Sequence, residues 1–242
     1  MNANNPDCED ARDKAAEMVQ EDDYLLCLTA VGALSPDYRV SSGSWEGGQW
    51  LAARWIDGVP LRPASPSVAD PKETASVRPW LAGIPHTWTE HLARVHAAGW
   101  AHADVQPTNT LVTHDGHTEV IDYALDCAPT ARRACRTGEP SPTPPLLRSP
   151  PPSSTRPPTP QPAADIWSLG ASLFWCRTGH RPVAYDDTTE RLEKLAVIAK
   201  GTTTALRDER LWPFPEFEDA VIASLAPDPA DRPTAKERTA AW

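Results

Sequence analysis

Apolar residues along the first third of the chain recur at two different periods. Between Ala11 and Ala33 the positions Ala15, Met18, Val19, Leu25 and Leu26 follow helical spacing and predict a helix, or a broken helix pair, ended near Gly32. Two alternating runs follow, Tyr38–Trp45 and Gln49–Ile56, and Glu46-Gly47-Gly48 between them reads as a hairpin turn. Asp57-Gly58-Val59-Pro60 closes the second run, and a connection containing Pro and Ser extends to about Asp70. A further helix is expected from Pro85 to Ala98, with Trp88, Leu92 and Val95 on one face and Gly99 as its stop. Thr110–Val112 and Glu119–Tyr123 read as short strands around a His114-Asp115-Gly116 turn.

Residues 140–162 carry eleven prolines among Ser and Thr, which excludes helix or central strand and predicts a mobile, polyproline-like loop. Beyond it the pattern is helical, at about 164–177, 188–200, 216–225 and 233–241, with Pro233 in the first turn of the last helix. Residues 1–10 are polar and read as a disordered end. The chain shows no internal repeat.

Composition narrows the partners more than the fold. A hydrophobic fraction of 40% over 242 residues can bury a core, either in one large domain or in two small lobes around a cleft. The balance of 23 basic against 33 acidic residues, net −10, argues against nucleic acid or an anionic membrane as partner. Cys8, Cys27, Cys127, Cys135 and Cys176 are scattered, odd in number and without a C-x-x-C pair, which suits reduced thiols in the cytoplasm. The start, MNANNPDCEDARDK, has no secretory pattern, and Tyr24–Leu34 and Ile166–Cys176 are too short to span a bilayer. His86, His91 and His96 fall five apart, a spacing that scatters them around a helix and disfavours a shared metal.

The candidate chemistry lies in His102-Ala103-Asp104-Val105-Gln106-Pro107-Thr108-Asn109 and, after a short apolar run, Ile121-Asp122-Tyr123. It comprises an aspartate, an asparagine five residues on, and a second aspartate at the end of a strand. A hairpin can bring the amide and the second carboxylate together as oxygen ligands for a hard cation such as Mg²⁺, which leaves phosphate oxygens for its other positions. Asp104 then remains to orient an attacking hydroxyl or accept its proton.

These segments resemble the eukaryotic-type protein kinase catalytic loop, H-R-D-x-K-P-x-N, and the metal-binding D-F-G. On that resemblance Asp104 corresponds to the catalytic base, Asn109 to a catalytic-loop metal ligand and Asp122 to the metal and nucleotide ligand. His102 corresponds to a packing residue of the core. Ala164-Asp165-Ile166-Trp167-Ser168-Leu169-Gly170 resembles the start of the family's long buried helix, which makes Asp165 a structural support of the loop. Ala226–Ala235, containing Asp231-Arg232-Pro233-Thr234, resembles its closing segment, with Arg232 structural. Glu21 resembles the helix glutamate that pairs the nucleotide-binding lysine, and the likeness spans about residues 15–242.

The departures are specific. No G-x-G-x-x-G loop and no V-A-I-K strand is found, and Lys14 precedes Glu21 by only seven residues, placing it on the same helix. Ala103 stands where the family has arginine, Gln106 where it has lysine, and Tyr123-Ala124 where it has Phe-Gly. No A-P-E precedes Asp165, which would leave Arg232 without its glutamate.

The resemblance implies an α+β, protein kinase-like fold with a reduced amino-terminal lobe at 11–60 and a mainly helical lobe at 61–242. Residues 140–162 would then form the activation-segment loop. It implies Ser/Thr-type phosphotransfer from Mg²⁺–ATP to a protein hydroxyl, with a protein as substrate or partner. One alternative is a pseudokinase scaffold that activates a partner without turning over ATP. A third is a small-molecule phosphotransferase of the aminoglycoside type, whose loop looks similar but which lacks the Asp165 and Arg232 segments.

Overall fold

The computed structural model describes residues 2–3, 11–46, 48–61, 74–123, 161–186, 188–210 and 212–240. The proline-rich stretch up to residue 160, Ala124, Cys8, Cys127 and Cys135 lie outside them. The architecture is α+β, with two small antiparallel sheets and seven α-helices among the described residues.

Helix α1 (Ala11–Ala30) is continuous rather than broken, and it turns Met18, Tyr24, Leu25 and Leu28 inward. It ends as its sequence suggests: Ala33 N–H returns to the Leu28 carbonyl at 2.9 Å and Gly32 N–H to Thr29 at 3.0 Å. Strands β2 (Arg39–Trp45) and β3 (Gly48–Ala53) form the expected hairpin, with Trp45 opposite Gly48. Trp45 lies over Gly48 and Trp50 over Gly43, so closely that a Cβ at either glycine would collide with an indole. Within the segment read as a disordered end, Asn2–Ala3 forms a short strand, β1, opposite Leu51 and Trp50 on the other edge of β3. Arg39 of β2 grips Asp22 of α1 through two bonds (Nε to Oδ1 at 2.5 Å, Nη2 to Oδ2 at 3.0 Å), which fixes the helix to the sheet.

The second sheet corrects the sequence reading. Gly58–Pro60 does not close the preceding strand, which stops at Ala53. It is a separate strand, β4, paired with β5 (Thr110–Thr113), and β5 pairs with β6 (Thr118–Val120). Helix α2 (Thr74–Ala97) begins far before Pro85 and contains both Pro79 and Pro85. Each proline removes one helical N–H bond, but Leu81, Ile84, Trp88, Leu92 and Val95 continue one buried face through both. Gly99, at φ 83°, supplies the left-handed turn after α2 that the sequence anticipates.

Helix α3 (Pro162–Thr178) is buried along most of its length. Around it stand α4 (Arg191–Ala199), α5 (Leu206–Glu209), which the sequence pattern did not reveal, α6 (Pro215–Ser224) and α7 (Ala235–Thr239). Pro233 precedes α7 instead of opening it, because Thr234 and Glu237 form a reciprocal capping box there. One core cluster gathers Trp88, Leu92, Val105, Val120, Ile166, Trp167, Phe174 and Phe217. A second joins α1, the β2–β3 hairpin and the end of α2 through Leu25, Leu28, Tyr38, Val95, Trp100 and Tyr123. None of the helices among the described residues is long and apolar enough to cross a membrane.

Candidate functional site

The segment after α2 is held from beneath by one buried carboxylate. Asp165, in the first turn of α3, accepts the backbone N–H of His102 on Oδ2 at 2.8 Å and that of Ala103 on Oδ1 at 2.9 Å. His96, in the last turn of α2, approaches the same Oδ2 through Nε2 at 2.8 Å. Ala103 lies at φ 65°, a conformation that costs an L-residue about 1–2 kcal/mol. The bond from its N–H to Asp165 helps to hold it there. Asp165 thus joins the start of α3 to the segment after α2, and His96 is a partner that the sequence reading missed.

His102 is fully buried. Its Nδ1 accepts the Asp104 N–H at 3.3 Å, so Nε2 carries the ring proton, on the side of the Ile121 carbonyl. Burial holds the imidazole below its ordinary range, against the pull of Asp165, Asp104 and Asp122. The ring is 5.0 Å from that of Tyr123, in keeping with a packing residue.

Two amides hold the Asp104 side chain. Gln106 donates from Nε2 to Oδ2 at 2.9 Å, and Asn109 donates from Nδ2 to the same oxygen at 2.8 Å. Asn109 also reaches the Asp104 carbonyl at 3.2 Å, closing a ring over the 3₁₀ turn Pro107–Asn109. Gln106 therefore provides orientation without the positive charge of the family's lysine.

Strand register brings in the second carboxylate. Thr110 pairs with Val120, and Ile121 N–H donates to the Asn109 carbonyl at 2.9 Å, so the chain passes beside Asn109 just before Asp122. Asp122 is exposed and lies at φ 68°; with Ala103 it is one of two non-glycine residues at positive φ among those described. Both belong to this site, where strained backbone tends to collect.

Glu21 faces the same region from α1. It is half-buried and accepts the Tyr123 N–H. Burial first, then the Asp122 carboxylate, raises its pKa to about 7, against the lowering effect of the Tyr123 bond. Lys14 sits exposed on α1, two turns from Glu21, as its spacing predicts.

Arg232 lies apart from these groups. It donates to the carbonyls of Ala226, Ala163 and Pro227 at 2.7, 2.9 and 3.0 Å, so main-chain oxygens stand where the family's glutamate is expected. This anchors the segment before α7 to the start of α3. His86, His91 and His96 face different partners, namely Glu90, Tyr123 and Asp165. Among the described residues no group of three or more His, Cys, Asp or Glu could hold a metal by itself. Asp122 is exposed, and Asn109, whose amide nitrogen is spent on Asp104, keeps its amide oxygen; carboxylate and amide oxygens are the donor types that a hard cation takes together with phosphate.

No family model matches the chain. Among characterised proteins it is 28% identical over 166 residues to the serine/threonine-protein kinase PknL of Mycobacterium tuberculosis, covering 65% of this chain and 36% of PknL. To AfsK of Streptomyces coelicolor, also a serine/threonine-protein kinase, it is 29% identical over 182 residues, or 75% of this chain and 22% of AfsK. To PknK of M. tuberculosis, another of that description, it is 33% identical over 170 residues, covering 68% and 14% respectively. The chain thus spans well under half the length of these relatives.

Proposed function

We propose that this chain, a protein kinase-like relative of the bacterial Ser/Thr protein kinases, transfers a phosphoryl group from Mg²⁺–ATP to a Ser or Thr hydroxyl of a protein in the cytoplasm. The observation that carries this reading is the orientation of Asp104: two amide donors fix one carboxylate oxygen, and one of them belongs to Asn109, beside the path to Asp122. Phosphoryl transfer depends chiefly on positioning and charge stabilisation, so a pre-oriented carboxylate is what an acceptor hydroxyl needs.

In this reading Asp104 aligns the hydroxyl and takes its proton, while Asn109 and Asp122 hold Mg²⁺. When bound, Mg²⁺–ATP would supply the phosphoryl group, with the metal offsetting charge on the phosphates. Gln106 keeps Asp104 in place. Glu21 awaits a cation from outside the described residues, and a protein partner that completes this side of the cleft fits the missing glycine loop and lysine.

Those same absences favour a second reading, a pseudokinase scaffold that acts on a partner enzyme without turning over ATP. Calorimetric titration with Mg²⁺–ATP separates the two, repeated on the Asp122→Asn variant. Metal-dependent binding that the variant loses supports the transferase site. No binding at about millimolar ATP, roughly −4 kcal/mol, overturns it in favour of the scaffold.

A further inference from the structure

Asp122 holds a backbone conformation that an L-residue adopts at a cost, so its neighbours have to impose it. On one side Ile121 is tied to Asn109 by the 2.9 Å bond already described. On the other stands Tyr123, fully buried and held at both ends. Its N–H goes to Glu21 of α1, and its ring packs edge-on against Tyr38, with centroids 5.5 Å apart and planes at 85°. Its phenol oxygen lies 2.9 Å from Nε2 of His91 and 3.1 Å from the Val120 carbonyl.

A phenol has one proton to give. The Val120 carbonyl can only accept, so the Tyr123 O–H goes to Val120 and His91 donates its Nε2 proton to the phenol oxygen. The result is a directed chain from His91 through Tyr123 to Val120, which links α2 to the end of β6 inside the core. Burial, with Arg94, His102 and His96 nearby, holds the His91 pKa at about 3, so the ring is neutral and this bond does not change with pH in the physiological range. Phenylalanine, which the resemblance would place at this position, could fill the same space but could not form the link.

We propose that Tyr123, together with His91, is a positioning residue that latches Asp122 in its left-handed conformation and so fixes the carboxylate at the end of β6. What Asp122 is positioned for rests on the phosphotransfer reading above. The latch itself does not.

The test is amide hydrogen exchange on the full chain, followed in peptides covering 118–123 and 162–178, for wild type, Tyr123→Phe, His91→Leu and the double variant. Each single variant is expected to speed exchange at 121–123 about tenfold, as for loss of one buried hydrogen bond, with little change in 162–178. The double variant should be no faster than the worse single one, because both remove the same link. Unchanged exchange at 121–123, or an equal rise in both regions, overturns the latch; the second outcome would make Tyr123 ordinary core.

A second readout concerns the ligand. If wild type binds Mg²⁺–ATP, Tyr123→Phe should weaken that binding about fivefold to tenfold, and full-strength binding alongside faster exchange overturns the link to Asp122. Failure of wild type to bind Mg²⁺–ATP while the exchange pattern holds overturns the phosphotransfer reading and leaves the latch standing.

Discussion

Replacing Asp165 tests how the whole segment after α2 is held. Its carboxylate is 1% exposed and meets three nitrogens: two backbone N–H groups, at 2.8 and 2.9 Å, and His96 Nε2 at 2.8 Å. Hydrogen bonds to a buried charge contribute about 1.5–3 kcal/mol each, and removing the acceptor also leaves their donors desolvated. For Asp165→Ala the bonds cannot simply be added, because the loop can relax and admit water. A net loss of about 3–5 kcal/mol is the expectation for breaking a buried charged partnership. In a domain of this size that lowers the melting temperature by about 6–20 °C.

Asp165→Asn provides a milder form of the same perturbation. It keeps the shape and one acceptor but puts an N–H₂ group against a donor, so about 2 kcal/mol should be lost. Thermal unfolding by far-UV circular dichroism measures both variants, and hydrogen exchange shows whether the His102 and Ala103 amides become exposed. If Asp165→Ala melts within about 2 °C of wild type with those amides still protected, the carboxylate does not hold the loop and the reasoning fails.

Glu21 should make stability depend on pH. Its folded pKa of about 7 lies above the ordinary 4.5, so its contribution is fully present below about pH 4.5 and is lost as pH rises through about 7. Glu21→Gln should therefore gain on wild type across that window, by up to about 3 kcal/mol, in urea unfolding at a series of pH values. Parallel stability curves would show that neither burial nor Asp122 disfavours the ionised Glu21. Two glycines should respond with opposite signs to alanine. At Gly170 of α3 a Cβ would stand 2.8 Å from Ser224 Cβ of α6, and a loss of about 1–3 kcal/mol is expected. At Gly83 within α2 a Cβ meets nothing within 4 Å, and a gain of about 0.5–1 kcal/mol should appear as a higher urea midpoint.

What could be read from the sequence was local. Asp104 and Asn109 stood out by their spacing of five, but the sequence reading paired Asn109 with Asp122, and the bond between Asp104 and Asn109 across the 3₁₀ turn is a finding of the structure. The hairpin at Trp45–Gly48 and the helix stop at Gly99 were legible because each is a local signal. Strand β4 was not, because Gly58-Val59-Pro60 carries turn chemistry and becomes a strand only through its pairing with β5. The start of α2 was hidden by two prolines whose local penalty is outweighed by the buried face running past them. Strand β6 ends at Val120, short of the expected Tyr123, since Asp122 at φ 68° leaves the extended region. His91 and His96 gave only an unhelpful spacing of five, because their partners lie 32 and 69 residues away.

The electrostatics of the site explain why its two sides look so different. Around the loop stand Asp104, Asp122 and Glu21, with Asp165 behind them. The groups that position these carboxylates are mostly neutral, namely the amides of Gln106 and Asn109 and the backbone N–H groups of His102, Ala103 and Tyr123, with the His96 imidazole added at Asp165. Neutral donors fix direction without cancelling charge. At Glu21 burial first, and then the Asp122 carboxylate, pushes the group towards protonation. A cation bound near Asp122 would relieve this repulsion and favour the ionised form of Glu21. The bonds that orient Asp104 are short-range and lie within the chain, whereas under the proposed phosphotransfer the phosphates would have to meet positive charge from a metal or a partner. That asymmetry, more than any single missing residue, is why a metal and a partner protein enter the functional reading together.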